Sequence, residues 1–293
     1  MAGVTASAVV PTLGRSRWLV PCLEALRRDG APPFETPLEV IVVDQGETPV
    51  EIPAGLADRV LRPGRNLGFA AGTNLGIAEA SGGLIATVND DVLVEPGWLA
   101  ALVSALEREP RAAAAQGVNL LMDDPSRADG CGLEWNRWWQ AVQIGHGRPA
   151  PSPDEPVREV FGVSATAALF RREALRAVAP DGSVFEPRLV SYYEDVELAG
   201  RLRAAGWHAL AVSAARARHA GSATGATMSR ERWRLIYGNR YLAASRRLGY
   251  GLLPRLPWMV LRDVIDLTWA DREQAAGIRA GWRRAIRELP GFR

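Results

Sequence analysis

Residues 84–99 read LIATVNDDVLVEPGWL. The first five are apolar or β-branched, the composition of a strand buried on both faces. The run stops at three polar residues, Asn89, Asp90 and Asp91. A helical pattern then runs from Trp98 to Glu107, with Pro110 just beyond. A buried strand that ends in acids and leads into a helix is half of a βαβ unit. The same grammar recurs upstream. Residues 6–13, ASAVVPTL, read as a short strand, followed by helical spacing over about 17–28. Residues 38–43, LEVIVV, end at Asp44 with Gly46 close behind, and residues 59–61 offer another short strand. Residues 64–82, GRNLGFAAGTNLGIAEASG, form a Gly/Asn-rich entry into a helix. This alternation predicts an α/β domain with a mostly parallel central sheet flanked by helices. Ligands of such sheets bind beyond the carboxyl ends of the strands, where Asp44 and Asn89-Asp90-Asp91 fall.

Downstream the pattern changes. Trp135, Trp138 and Trp139 cluster, and residues 149–156 form a Pro-rich loop. Residues 160–170 read as a strand, 171–178 as a short helix, and 209–212 as a last strand leading into RARHAGSATG. From Arg230 the chain turns helical, aromatic and arginine-rich. The expected division is an α/β domain over 1–225 and a helical extension over 226–293, packed on that domain or lying at a membrane surface.

Composition narrows the class. The 293 residues carry a net charge of +2, so general nucleic-acid binding is not expected. At 47% hydrophobic residues the chain can bury a core and is not of disordered type. The two cysteines, Cys22 and Cys131, have no metal-ligand spacing and suit a reducing compartment. The first residues lack a signal-peptide pattern, and no apolar run is long enough to span a bilayer. The expectation is a cytoplasmic protein, with contact at the inner face of the membrane left open.

Several residues could carry chemistry. Asn89-Asp90-Asp91 suits either a turn or a hard cation, since Mg²⁺ and Mn²⁺ take a few carboxylates with phosphate and water oxygens. Asp44 is either a turn residue or an acceptor for a base or ribose. In Arg65-Asn66-Leu67-Gly68, the glycine lets backbone approach a ligand or simply permits helix entry. His219, after a strand and before a Gly/Ser loop, is a structural histidine or a third ligand for Mn²⁺. In SYYEDVELAGRLRAAGW, residues 191–207, two carboxylates stand side by side at a helix start. There they complement the helix dipole, and the same dipole would keep Glu194 and Asp195 ionised as proton acceptors. Val196, Ala199 and Leu202 share the buried face, and Gly206 supplies the stop.

Taken in order, ASAVVPTLGR, VIVVDQG, GRNLGFAAGTNLGI, TVNDDVLVEPGWL, YYEDVELAGRLRAAGW and HAGSATG resemble the inverting family 2 glycosyltransferases of the GT-A fold, in their rhamnosyltransferase-like branch. These strings cover most of residues 4–225. The resemblance implies that Pro11, Thr12 and Asp44 line the nucleotide site, with Arg65, Asn66 and Gly68 nearby. It implies that Asp90 reaches the ribose or sugar, with Asn89 also in the nucleotide-sugar site, that Asp91 binds Mn²⁺ or Mg²⁺, and that His219 completes the metal or diphosphate site. Asp195 would be the base that deprotonates the acceptor hydroxyl, and Glu194 would help orient it. The implied partners are a nucleoside-diphosphate sugar donor and a glycan or lipid-linked acceptor, with a homodimer left open. The GRNLGF string points to dTDP-rhamnose, while a UDP- or GDP-sugar remains an alternative. Two strings depart from the family pattern: Asp44-Gln45-Gly46-Glu47 after the second strand, and the turn at 183–188 before the base segment. A nucleotidyltransferase would want a Gly-rich GxGTR loop, which Thr12-Leu13-Gly14-Arg15 does not supply. A non-catalytic sugar-nucleotide binder would have lost base or metal residues, and Asp91, Asp195 and His219 are present.

Overall fold

The computed structural model describes residues 6–31, 36–221 and 229–289. The first half follows the expected alternation: β1 (Ala6–Thr12), α1 (Leu19–Asp29), β2 (Leu38–Asp44), β3 (Arg59–Leu61), α2 (Gly68–Glu79) and β4 (Leu84–Val88). β5 (Val92–Val94), α3 (Trp98–Arg108) and β6 (Ala112–Leu121) come next, then the short strands β7 (Ala128–Gly130), β8 (Leu133–Trp135), β9 (Ala141–Gln143) and β10 (Arg158–Val160). β11 (Ala167–Arg171), α4 (Arg172–Val178), α5 (Glu194–Ala204) and β12 (His208–His219) complete the α/β region. The extension holds α6 (Arg230–Leu248), α7 (Leu256–Trp269) and α8 (Arg272–Glu288).

The main sheet runs β10-β12-β6-β11-β4-β1-β2-β3. β3, β2, β1 and β4 are parallel neighbours, and β6 and β12 are parallel to each other. β11 lies antiparallel to both β4 and β6. That reversal makes β6 and β12 point the same way as the first four strands. The carboxyl ends of β1, β2, β4, β6 and β12 therefore share one edge.

Two expected strands are redrawn. Residues 160–170 do not form one strand: residues 161–166 leave the ladder between β10 and β11. Gly162 there abuts Ala199 of α5, and Ser164 donates its amide to the buried Gln116 side chain at 2.7 Å. The last strand extends to His219, because β12 keeps pairing with β6 past an irregularity between Ala211 and Arg216. β6 itself was not anticipated. Its Ala112–Ala115 run lacks β-branched residues, and its Gln116 and Asn119 are polar yet buried.

The sheet is covered on both faces. Ala8 and Val10 pack with Leu23 and Leu26 of α1 and Leu99 and Leu102 of α3. Val9 points the other way, with Ala70 and Ile77 of α2, Leu175 of α4, and Leu198 and Leu202 of α5. Strand alternation sends neighbours to opposite faces, so burial on both sides makes the sequence read as an unbroken apolar run.

Asp29 at the end of α1 is 2% exposed and accepts the Gly97 and Leu99 amides at 2.6 and 2.7 Å. It caps α3, which has no side-chain cap of its own. In the extension, α6 and α8 cross closely: a side chain on Gly281 would come within 2.8 Å of the Gly238 nitrogen. Arg240 and Asp263, both buried, pair at 2.8 Å, and Asp263 also accepts from Tyr241 at 2.6 Å and Trp282 at 2.7 Å. Asp29→Ala should lower stability by about 1–2 kcal/mol, because two amides at the start of α3 lose their acceptor. Urea unfolding would measure it; an unchanged midpoint would mean the helix start is satisfied some other way.

Candidate active site

The shared edge collects the residues singled out from the sequence. Pro11 and Thr12 end β1, Asp44 ends β2, Asn89 to Asp91 follow β4, and His219 ends β12. Because β11 runs backwards, its start is at this edge too, with Ala167 opposite Val88. Residues 164–166 therefore reach the same place. The Asn89 amide donates to the Thr166 carbonyl at 2.8 Å, and the Ala165 amide donates to Asp195 Oδ2 at 3.4 Å. One short loop thus joins the end of β4 to the start of α5.

Thr12 Oγ1 donates to Asp90 Oδ2 at 2.5 Å, and the Gly14 amide donates to Thr12 Oγ1 at 2.9 Å. Burial pushes the Asp90 carboxyl up to about 6, against the Thr12 hydrogen bond and with help from Asp91. The Asn89 side-chain oxygen is buried without a partner. Asp91 Oδ1 lies 3.3 Å from His219 Nε2, and His219 Nδ1 is 2.8 Å from Asp129 Oδ2. Burial opposes charge on this imidazole, but Asp129 and Asp91 together raise it to about 9. Asp129, on β7, escaped the sequence reading because a three-residue strand around an Asp-Gly leaves no periodic signal. A carboxylate behind a histidine is the usual way of aiming its other nitrogen at a cation. Once the imidazole gives up its proton, Asp91 Oδ1 and His219 Nε2 would form a donor pair for Mn²⁺ or Mg²⁺. Among the described residues no three His, Cys, Asp or Glu side chains are grouped to hold a metal. Phosphate and water oxygens would have to complete the coordination.

Asp44 is 3% exposed, and its carboxylate is engaged by the chain itself. It accepts from the Gly46 amide at 3.1 Å, the Val50 amide at 3.0 Å and Arg62 Nε at 3.2 Å. It therefore shapes the 46–50 loop at the edge. Arg65 and Asn66 are exposed, and Asn66 Oδ1 accepts the Gly68 amide at 2.8 Å. Gly68 has φ +81°, and a side chain there would come within 2.7 Å of Val190. The glycine serves close packing on the loop that precedes the carboxylate pair. The loop end of HAGSATG, 222–225, lies outside the described residues.

The loop before the carboxylate pair is strained. Val190, Tyr192 and Tyr193 all have positive φ, at 64°, 68° and 69°. Val190, with ψ −66°, closes a γ-turn in which the Ser191 amide donates to the Leu189 carbonyl at 2.7 Å. Such residues cost about 1–3 kcal/mol each and persist only where the surroundings over-determine them. Here the clamp is Asn239 of α6, fully buried, whose Nδ2 lies 2.8, 2.9 and 2.7 Å from the carbonyls of Leu189, Ser191 and Tyr192. From the other side, the Ala70 amide donates to the Val190 carbonyl at 2.9 Å. Arg232 donates to the Tyr192 hydroxyl at 2.6 Å. An asparagine inside a helix is a poor helix former, and that was the available sign of its outside role.

The helix dipole alone does not describe the carboxylate pair. Burial, reinforced by the Asp195 charge, holds Glu194 well above the usual carboxylate range. Burial also raises Asp195, against hydrogen bonds from the Val196 and Ala165 amides. Hydrogen bonding decides which of them keeps the charge. Asp195 Oδ1 accepts the Val196 amide at 2.8 Å and Oδ2 the Ala165 amide, whereas Glu194 Oε2 is buried without a partner. The two amides favour charge on Asp195, while burial and that neighbouring charge favour the proton on Glu194. The pair lies in a cleft of about 440 Å³ that also takes in Asn89, Phe69, Tyr192, Tyr193 and Ile236. Trp135 packs on Tyr193 at 6.1 Å and on Trp139 at 5.7 Å, so two of the three tryptophans back the cleft wall. The folded state holds the Glu194 proton more tightly than the unfolded chain does, so stability falls as pH rises through the folded pKa. Glu194→Gln should therefore melt higher than wild type at about pH 8, with the gain shrinking toward about pH 5. Thermal melts at both pH values check this; a gain confined to the acid side would mean Glu194 is ionised in the fold.

A family model described as glycosyl transferase family 2 matches residues 7–178, more than half of the chain. The N-acetylglucosaminyl-diphospho-decaprenol L-rhamnosyltransferase of Mycobacterium tuberculosis is 29% identical in an alignment of 222 positions that covers 63% of this chain and 67% of that protein. Among solved structures, GalNAc-T7 with UDP, GalNAc and Mn²⁺ superposes with a TM-score of 0.60 at 13% identity, over 99% of this chain and 58% of that one. The mannosyltransferase PcManGT of Pyrobaculum calidifontis, in complex with GDP-Man and Mn²⁺, gives 0.56 at 17% identity, over 98% and 82%. At such identities the structural likeness speaks for the fold, an α/β sheet flanked by helices of the GT-A kind. The match over residues 7–178 identifies this chain as a member of glycosyl transferase family 2 and hence a glycosyltransferase.

Proposed function

We propose that the chain is an inverting, metal-dependent transferase that moves a sugar from a nucleoside-diphosphate donor to a hydroxyl of a glycan or lipid-linked acceptor. One observation carries this reading: Asp195, the member of the buried pair that two amides hold, shares a cleft with Asn89 at the end of β4. A base on one side and the strand edge that binds nucleotides on the other is the arrangement a single displacement needs.

The donor's base and ribose lie along Pro11, Thr12, the loop held by Asp44, and the exposed Arg65-Asn66 turn that Gly68 permits. Asn89 and Asp90 face the ribose or sugar; the orphaned Asn89 oxygen is an acceptor waiting for a hydroxyl. Asp91 and His219 hold the cation, with Asp129 fixing the imidazole. When bound, the cation neutralises charge that grows on the leaving diphosphate. The acceptor hydroxyl enters through the cleft lined by Tyr192 and Tyr193. Its oxygen attacks the anomeric carbon opposite the diphosphate, and Asp195 takes its proton. Glu194, being neutral, adds no second negative charge to repel the first, so the base keeps its charge in a buried place.

The rhamnosyl donor is supported by the GRNLGF string and by the name of the M. tuberculosis relative, which also supports a lipid-diphosphate acceptor. UDP- and GDP-sugars are the other donor candidates. Asp195→Asn should cut transfer by about 10²–10⁴-fold and leave nucleotide affinity within about twofold. Product formation from nucleotide-sugar panels measures it; full activity would remove Asp195 from the chemistry. Asp91→Ala should lose the extra thermal shift that Mn²⁺ adds to a bound nucleoside diphosphate. An unchanged shift would remove Asp91 from the cation site.

A further inference from the structure

Eight of the twelve large apolar side chains that stay exposed among the described residues fall between Tyr250 and Ile286. Most belong to α7 and the 3-10 turn before it. α7 fully buries only Met259 and Asp263. At 100° per residue Trp258, Leu261, Val264 and Trp269 lie away from those two. Trp258 is 58% exposed, Val264 45% and Trp269 88%; Leu253 of the preceding turn is 58% exposed. No described helix is long and apolar enough to cross a membrane. This face is an apolar surface with tryptophans at its ends, on a helix that lies against the protein.

Charge says what would cover it. Residues 230–289 hold thirteen arginines and six acids, while the rest of the chain holds twenty-two arginines and twenty-seven acids. Four of those six acids are already paired within the extension: Glu231 with Arg234, Asp263 with Arg240, Asp266 with Arg262, and Glu288 with Arg284. The extension is a strongly basic body under an apolar face. A second copy docking face to face would bring like charge against like charge. An anionic lipid surface would meet both features at once, apolar side chains entering the acyl boundary and arginines meeting the headgroups.

We propose that the α7 face, centred on Trp258, Leu261 and Val264, seats the protein on an anionic bilayer. The proposal deepens, and rests for its purpose on, the reading of the acceptor as lipid-linked. The face adjoins the cleft wall: Trp258 packs on Trp138 at 6.4 Å, within the segment whose Trp135 touches Tyr193. Seating it would hold the side of the cleft that Tyr193 lines near the membrane surface.

The test is co-sedimentation of the full chain with vesicles of phosphatidylcholine, alone or with about one-third phosphatidylglycerol. The wild type should partition at least about tenfold better onto the anionic vesicles, and salt should weaken it. The double variant Trp258→Asp, Leu261→Asp should fall to the phosphatidylcholine level. α7 is anchored by Met259 and Asp263, which the variant keeps, so it should stay folded and its nucleotide-induced thermal shift should match wild type. Equal binding to both vesicle types, or undiminished binding by the variant, would overturn the proposal. So would a wild-type dimer that the variant converts to monomer, since the face would then belong to self-association. The nucleotide shift, read in the same samples without vesicles, tests the transferase reading separately. Its absence would strike that reading while the vesicle comparison still decided this one.

Discussion

The reversed strand β11 holds the active site together. It pairs with β4 on one side and β6 on the other, antiparallel to both. A parallel strand of the same five residues would start at the far edge, roughly 17 Å away at about 3.3 Å per residue. Reversal brings residues 164–166 to the carboxyl ends of the parallel strands. There the loop bonds Asn89 on one side and Asp195 on the other. Gln116 of β6 braces it from beneath, taking the Ser164 amide and reaching the Gly130 carbonyl beside Asp129 at 3.4 Å. The ends of the parallel strands, the Glu194-Asp195 pair and the support of His219 are thus tied to one buried amide side chain and one backward strand.

Around this frame the protein keeps unfavourable features that simple packing would remove. Two carboxyls stand next to each other in a buried place, and three non-glycine residues before them have left-handed backbone. Each is held by groups from elsewhere in the chain. Asn239 of α6 reaches three carbonyls of the strained loop, and α2 docks on Val190 through a glycine that alone fits there. Glu197, two residues past Asp195, is fully buried between Arg201 of its own helix and Arg246 of α6. Strain and buried charge at the start of α5 are the signs of a preorganised base.

The extension is accordingly part of the site and more than a covering layer. α6 supplies Asn239 to the loop and Arg246 to Glu186 and Glu197. Its partner α8 sends Arg284 to the Arg188 carbonyl. The buried Arg240–Asp263 pair locks α6 to α7, whose other side carries the exposed apolar face. A load on that face therefore has a short, packed route to the segment before Glu194.

Much of this was legible in the sequence. Runs such as LEVIVV and LIATV are local, and burial on both faces leaves them no other reading, so β2 and β4 were placed within a residue. The polar residues that end such runs fall at the ligand edge, which marked Asp44, Asn89, Asp90 and Asp91, while Thr12 came from the family resemblance. The helix after Glu194 was also plain, with Val196, Ala199 and Leu202 buried and Gly206 left-handed as its stop. β6 was hidden because alanine carries little strand preference, and the break at 161–166 because its cause, Ala199 against Gly162, is far along the chain. The sequence alone established alternating strands and helices, their acidic ends and a carboxylate pair at a helix start, because those signals lie in neighbouring residues. Only the tertiary structure decided that β11 runs backwards, that Asp44 serves its own loop, that Asp129 stands behind His219, and that two amides hold Asp195 while Glu194 Oε2 has no partner. Each of these depends on which distant groups come within hydrogen-bond reach, and reach across the fold is not written in local order.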